Sequence, residues 1–131
     1  MIIKIFSNSK VIVYGEFVSM NKGSLSFIEE NEHKTISGLN WGNITPVLFD
    51  ENDNMLEQET KDLIAKLYKD EAYEKLKPTD WKVVKQSETS EYSPEEYAQI
   101  KAERQGYRTI CQEKIEELNS CKDLTKYKVE L

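Results

Sequence analysis

The architecture depends on residues 77–118, which read KPTDWKVVKQSETSEYSPEEYAQIKAERQGYRTICQEKIEEL. Pro78 fixes its own backbone angle and moves the preceding residue out of the α region. A helix arriving from the N-terminal side is therefore expected to end at residue 76 or 77. After a turn, Trp81 and two valines alternate with lysines as on a half-buried strand. A short strand is predicted from about Trp81 to about Gln86.

A polar segment and a helix start come next. Residues 87–91 are all polar and are predicted to form a solvated loop, because they cannot bury enough apolar surface to become ordered. Ser93 precedes Pro94, and Glu96 stands three residues after the serine. This pattern combines an N-cap, a proline at the first helical position and a capping box. A long C-terminal helix is therefore predicted to begin after Ser93.

Residues at spacings of three and four form a mixed stripe along that helix: Tyr97, Ile100, Arg104, Tyr107, Cys111, Lys114 and Leu118. The stripe has two interpretations. Either the helix lies along its own domain, or its tyrosine and arginine face docks on a partner, because these residue types are enriched as interface anchors. Under the second interpretation the partner-binding candidates are Trp81, Tyr97, Arg104, Tyr107 and Arg108.

The same stretch resembles a known group of proteins. Its Pro-x-Asp-Trp-x-Val-x-Lys core and its Ser/Pro-initiated basic helix are similar to those of small accessory proteins of phage-tail and prophage gene clusters, including tail-fibre assembly proteins. The residues that carry the resemblance are Pro78, Asp80, Trp81, Val83, Lys85, Glu88, Pro94, Arg104 and Arg108. The resemblance covers about a third of the chain. It implies a non-enzymatic virion or assembly component, and it supplies no catalytic residues.

The N-terminal part contains short apolar segments that are separated by polar turns, with no helical pattern between them. Strands are predicted at residues 1–6, 11–17, 24–29, 33–36 and 45–49. Pro46 places the last strand at a sheet edge or near the strand start. Trp41 is expected to fold back as an anchor from an irregular loop. Four or five strands with short turns favour an antiparallel meander.

Residues 57–76 show the spacing of an amphipathic helix with supporting ion pairs. The fold class is therefore α+β: an N-terminal antiparallel β-meander, then a helix, a short strand and a long C-terminal helix. Two regions are predicted, a sheet at 1–56 and a helix-strand-helix region at 57–131. They pack as a single domain, or the last helix extends from it. Residues 124–131 are expected to add a short strand or to fray.

Composition disfavours several classes of function. The chain has 131 residues and a net charge of -6, with no concentrated basic region. Neither nucleic acid nor a membrane surface is therefore expected as a partner. The first apolar run is too short for a signal peptide or a spanning helix, so export by that route is not indicated and the cytoplasm is favoured. Cys111 and Cys121 lie about three helical turns apart and far from His33, so neither a disulfide nor a zinc site is expected.

Candidate catalytic groups are few. His33 is the only side chain whose ordinary pKa is near neutrality, and no nucleophile motif stands beside it. Residues 50–54 alternate aspartate and asparagine as a calcium loop does. Met55 and Lys61, however, occupy the positions where an EF-hand needs glycine and glutamate, so a turn is favoured. No catalytic residue, metal ligand or cofactor is assigned.

Three functional hypotheses follow. The first is a phage or prophage tail-associated structural or assembly protein, acting through contacts with other virion proteins or through self-association of the long helix. It would act in the host cytoplasm during assembly or remain in the virion. The second is a free, acidic, cytoplasmic binding module or inhibitor, and the third is an unrecognised carboxylate-based hydrolase. Trp41 and Trp81 are interpreted as core anchors, or one of them lines an exposed groove.

Overall fold

A computed structural model describes all residues, 1–131. Five strands precede two long helices, and short 3₁₀ turns lie at Trp41–Asn43 and Leu124–Lys126. The bounds are β1 Ile2–Ser7, β2 Lys10–Met20, β3 Ser24–Glu29, β4 Glu32–Ser37, β5 Thr45–Phe49, α1 Glu57–Thr89 and α2 Pro94–Asn119. The α+β class and the N-terminal meander are confirmed. The bounds of β3 and β5 are those predicted.

The strands form one antiparallel sheet in the order β4-β3-β2-β1-β5. Two-residue turns join β1 to β2 and β3 to β4, and their central residues, Asn8 with Ser9 and Glu30 with Asn31, all have positive φ. Such turns match the twist of a hairpin. Gly15 on β2 faces the core, where a Cβ would stand 2.5 Å from the Phe27 ring.

β5 is an edge strand, as Pro46 predicted, and its outer edge is closed by the start of α1. The amide of Leu48 donates to the hydroxyl of Thr60 at 2.9 Å, and the amide of Leu56 donates to the Leu48 carbonyl at 2.8 Å. These bonds satisfy backbone groups that an edge would otherwise leave unpaired. They fix the first turn of α1 beside the sheet.

The core lies between one face of the sheet and the first half of α1. Ile3, Ile5, Leu25 and Phe27 alternate with outward residues along β1 and β3, and they share one buried cluster with Ile64, Leu67, Tyr68 and Leu118 of the helices. Trp41 is 5% exposed, and its indole N–H donates to the Lys22 carbonyl at 2.6 Å. The predicted anchor role of Trp41 is confirmed.

The predicted strand at 81–86 is wrong, and so is the predicted end of the preceding helix at 76 or 77. α1 is a single helix of 33 residues that contains Pro78 in its interior. A proline inside a helix costs roughly 3 kcal/mol because it removes one amide donor and crowds the preceding turn. Arg104 of α2 binds this turn, as described below. The predicted start of α2 is confirmed, because the Ser93 hydroxyl accepts from the Glu96 amide at 3.2 Å.

The C-terminal segment neither forms a strand nor frays. Leu124 and Val129 are buried in the common core. The hydroxyls of Tyr68 and Tyr127 lie 2.6 Å apart, and the Tyr127 carbonyl accepts from the hydroxyl of Thr45. Burial raises the pKa of both tyrosines above its ordinary value. The end of the chain thus ties β5 to α1.

Candidate functional site

The helices form an antiparallel hairpin that extends beyond the sheet. Contacts pair the two helices along their length: the Lys61 ammonium donates to the Asn119 carbonyl at 3.2 Å, and the Lys75 ammonium lies 5.9 Å from the centre of the Tyr107 ring. The last ion pairs between the sheet and α1 join Lys22 to Glu71 and Glu74. Beyond Glu74, α1 continues for about 22 Å at its ordinary rise per residue. We call residues 75–107 the arm.

Arg104 of α2 binds the turn of α1 that contains Pro78. Its guanidinium donates to the Leu76 carbonyl at 3.0 Å and to the Thr79 hydroxyl at 2.7 Å, and it lies 2.9 Å from the Asp80 carboxylate. The Arg104 side chain is only 11% exposed. Arg104 therefore adds donors to the turn that contains Pro78, although the carbonyl that the proline leaves without an amide donor is that of Glu74. The contacts of this candidate residue are all within its own chain, which supports the interpretation that α2 packs on its own domain.

The two candidate tyrosines of α2 are half-buried. The Tyr107 hydroxyl donates to Glu103 at 2.9 Å, and this bond raises the pKa of the tyrosine. The Lys101 ammonium lies 5.0 Å from the centre of the Tyr97 ring. Both tyrosines belong to the stripe that also carries Arg104, so they reach the surface only at the margin of the helix pair.

Trp81 lies on the opposite side of α1, facing away from α2. It is 54% exposed, and Val84, about one turn further along the same side of the helix, is 57% exposed. The ammonium groups of Lys82 and Lys85 lie 5.9 and 5.6 Å from the centre of the indole ring. A core-anchor role for Trp81 is therefore wrong. We call this apolar and basic surface of α1 the outer face of the arm.

Arg108 borders a shallow apolar groove between the helices at the base of the arm. The groove has a volume of ≈ 410 Å³, and Leu76, Cys111 and Ile115 line it. Burial raises the pKa of the Cys111 thiol, which lowers the thiolate fraction and hence the reactivity of this cysteine. The structure thus separates the candidates. Arg104 is bound between the two helices, and Tyr97 and Tyr107 lie half-buried at the edge of the helix pair. Trp81 and Arg108 lie on different surfaces.

Sequence reasoning missed Lys77 and Val84 as neighbours of Trp81 on one side of a helix. Residues 77, 81 and 85 follow a four-residue spacing that places them on one side of a helix. The signal was present in the sequence, but it has meaning only if the helix passes through Pro78. The strand prediction instead left Lys77 outside the strand and placed Val84 on the opposite side of a sheet from Trp81.

The remaining sequence candidates concern metal binding, His33 and the loop at residues 50–54. No group of three or more histidine, cysteine, aspartate or glutamate side chains is arranged to hold a metal ion. His33 is exposed on β4. The Asp50 carboxylate accepts from the amides of Asn52 and Asn54 at 2.9 Å each, bonds that lower its pKa and form the predicted turn. No helix combines the length and apolar character needed to cross a membrane.

Comparison with protein-family models, with curated proteins and with solved structures finds no match for this chain.

Proposed function

We propose that this chain is a non-enzymatic assembly or structural protein that binds another protein through the outer face of its arm. The observation that carries the proposal is the exposure of Trp81, 54%, in the middle of a projecting helix. Val84 extends the apolar surface on the same side. A large exposed aromatic side chain with an exposed aliphatic neighbour is typical of protein interfaces.

The chemistry of this face suits a central contact with a polar margin. An indole ring buries roughly 150–250 Å² on binding and provides one N–H donor. Lys82 and Lys85 lie beside the ring, and Lys77 stands one helical turn before it with its ammonium 4.8 Å from the Tyr73 ring centre. A partner with an apolar pocket and acidic margin would complement this arrangement.

The resemblance to phage-tail and prophage accessory proteins supports a specific setting for this binding. In that setting the partner is another tail or virion protein, and the chain acts in the host cytoplasm during assembly or remains in the particle. A projecting arm on a compact sheet suits such a role, because it can reach into a neighbouring subunit while the sheet stays outside. Neither nucleic acid nor a membrane surface enters the proposal.

The first test is the mass of the purified protein in solution by light scattering, alone and with the products of its neighbouring genes. A stable complex is expected, and Trp81→Ala is expected to weaken it by at least about thirtyfold, as loss of a central aromatic contact does. Ile110→Ala is the matched control, because Ile110 is 46% exposed but lies on α2. A protein that stays monomeric with every neighbour, or equal effects of the two variants, would contradict the proposal.

A further inference from the structure

A second exposed surface lies on the sheet, on the face opposite to α1. Ile2, Tyr14 and Ile28 form the apolar floor of an open groove of ≈ 590 Å³. Tyr14 is 51% exposed. The strand register places Glu16 between Ile2 and Ile28 in one row across three strands. The volume is within the range of pockets that hold a drug-sized group.

The groove is acidic, because four glutamates line it, and of these Glu29 is paired with Lys34. Glu16, Glu30 and Glu51 line it, and none of them has a lysine or arginine within ion-pair distance in its own chain. The nearby Lys4 is paired with Asp53. Three unpaired carboxylates around an apolar floor favour a ligand that presents an apolar group flanked by positive charges.

The outer face of the arm has this composition. Trp81 and Val84 are its exposed apolar groups, and Lys77 and Lys82 are free of ion pairs, while Lys85 binds Glu91 in the loop that follows the helix. The groove and the arm are thus complementary in charge and in chemical type: an indole with lysines on one side, an apolar floor with glutamates on the other.

The two surfaces of one chain cannot meet. Groove residues such as Tyr14 and Ile28 alternate along their strands with Gly15 and Phe27, which face the core and α1. The arm leaves the body beyond the β2–β3 turn, where Lys22 contacts Glu71, and it continues outward for about 22 Å. Contact between arm and groove therefore requires two molecules.

We infer that the arm of one copy binds the acidic groove of the next, so that the protein associates head to tail. This inference rests on the proposed function and names the partner of the same arm as a second copy of this chain. A contact between two different surfaces is heterologous, so it leaves a free arm and a free groove at the ends of each complex. The complex therefore grows into a chain or closes into a ring.

The test uses two variants that each remove one surface. The first is the double variant Trp81→Ala/Val84→Ser, which removes the apolar groups of the arm. The second is the double variant Glu16→Lys/Glu51→Lys, which replaces two negative charges of the groove with positive ones. All four positions are exposed, so the fold is expected to persist, which circular dichroism checks. Glu113→Lys with Glu117→Lys is the matched control, since it makes the same charge change at exposed positions of α2. Mass is measured by sedimentation and light scattering at a series of protein concentrations.

The wild type and the control are expected to associate with increasing concentration, and each surface variant is expected to weaken association at least about tenfold. A one-to-one mixture of the two surface variants should form a complex of twice the 15.3 kDa chain mass and no larger species. Raising the salt concentration should weaken association, because the screening length falls from about 10 Å at 0.1 M to about 3 Å at 1 M.

Three outcomes would overturn the inference. A monomeric wild type at high concentration excludes a second copy as partner, although a neighbouring gene product could still bind the arm and leave the proposed function intact. A wild-type oligomer that is lost in the arm variant but retained in the groove variant indicates contact between two arms. A mixture of the two surface variants that remains monomeric excludes the arm-to-groove contact directly.

Discussion

Arg104 is the contact whose removal tests how α1 passes through Pro78. In Arg104→Ala the Thr79 hydroxyl loses a charged donor at 2.7 Å, and the Leu76 carbonyl loses one at 3.0 Å. The ion pair with Asp80, 48% exposed, is lost as well. The helices should still form, because the base of each is buried in the common core. The arm should become locally less stable.

The magnitude follows from these contacts. A hydrogen bond from a charged donor contributes about 1.5–3 kcal/mol, and an ion pair with a half-exposed partner adds at most about 1 kcal/mol. The Leu76 carbonyl keeps one partner, because the Thr79 hydroxyl also donates to it at 3.0 Å. We therefore expect the free energy of opening the arm to fall by about 2–3 kcal/mol, which corresponds to about 30- to 150-fold.

Native-state hydrogen exchange measures this quantity residue by residue. Amides of the arm in Arg104→Ala should exchange about 30- to 150-fold faster, while amides of β1 and β3 should change much less. Arg104→Lys should recover only a minor part of the loss, because an ammonium cannot reproduce the fork of a guanidinium. Arg108→Ala is the control, since Arg108 is exposed and forms no ion pair. Equal exchange in Arg104→Ala and the wild type would refute this account of the proline.

Three further predictions concern stability. Gly15→Ala should lower the free energy of unfolding by about 1–3 kcal/mol, seen as a lower urea midpoint, because the new methyl group would overlap the Phe27 ring; an unchanged midpoint would contradict the register of β2. The hydrogen bond from Lys22 lowers the pKa of Glu71, so this carboxylate stabilises the fold above its ordinary pKa of 4.5, and the contribution is lost as the pH falls through the lowered value. Glu71→Gln should therefore reduce the urea midpoint at neutral pH but match the wild type at about pH 2; a difference that persists in acid would exclude the charge as its cause. Ser93→Ala should cost about 1 kcal/mol by removing the N-cap of α2, and faster amide exchange confined to the arm tip is the expected signature; exchange unchanged at the tip would show that the cap contributes nothing.

The local rules of the sequence determined the sheet and the start of α2. Alternating apolar residues, turn residues such as Asn8 and Asn31, and the Ser93 N-cap act through neighbours a few residues away in the chain. The resulting strands and helix start therefore match the prediction within a few residues. Pro46, which lacks an amide donor, predicted either an edge position for β5 or a place near the strand start, and the structure shows both.

Tertiary structure alone decided the path of α1 beyond residue 76. The local preference of Pro78 is to end a helix, but the turn that contains it binds Arg104, which stands 25 residues after Thr79 in the chain. The residues near Pro78 contain no pattern that predicts this contact. The exposure of Trp81 also depends on the continuation of α1 through Pro78. In a helix Trp81 lies on the side away from α2, whereas a strand would have placed it in a core. Local signals fix elements whose stabilising contacts are near in sequence, and packing fixes those whose contacts come from another helix.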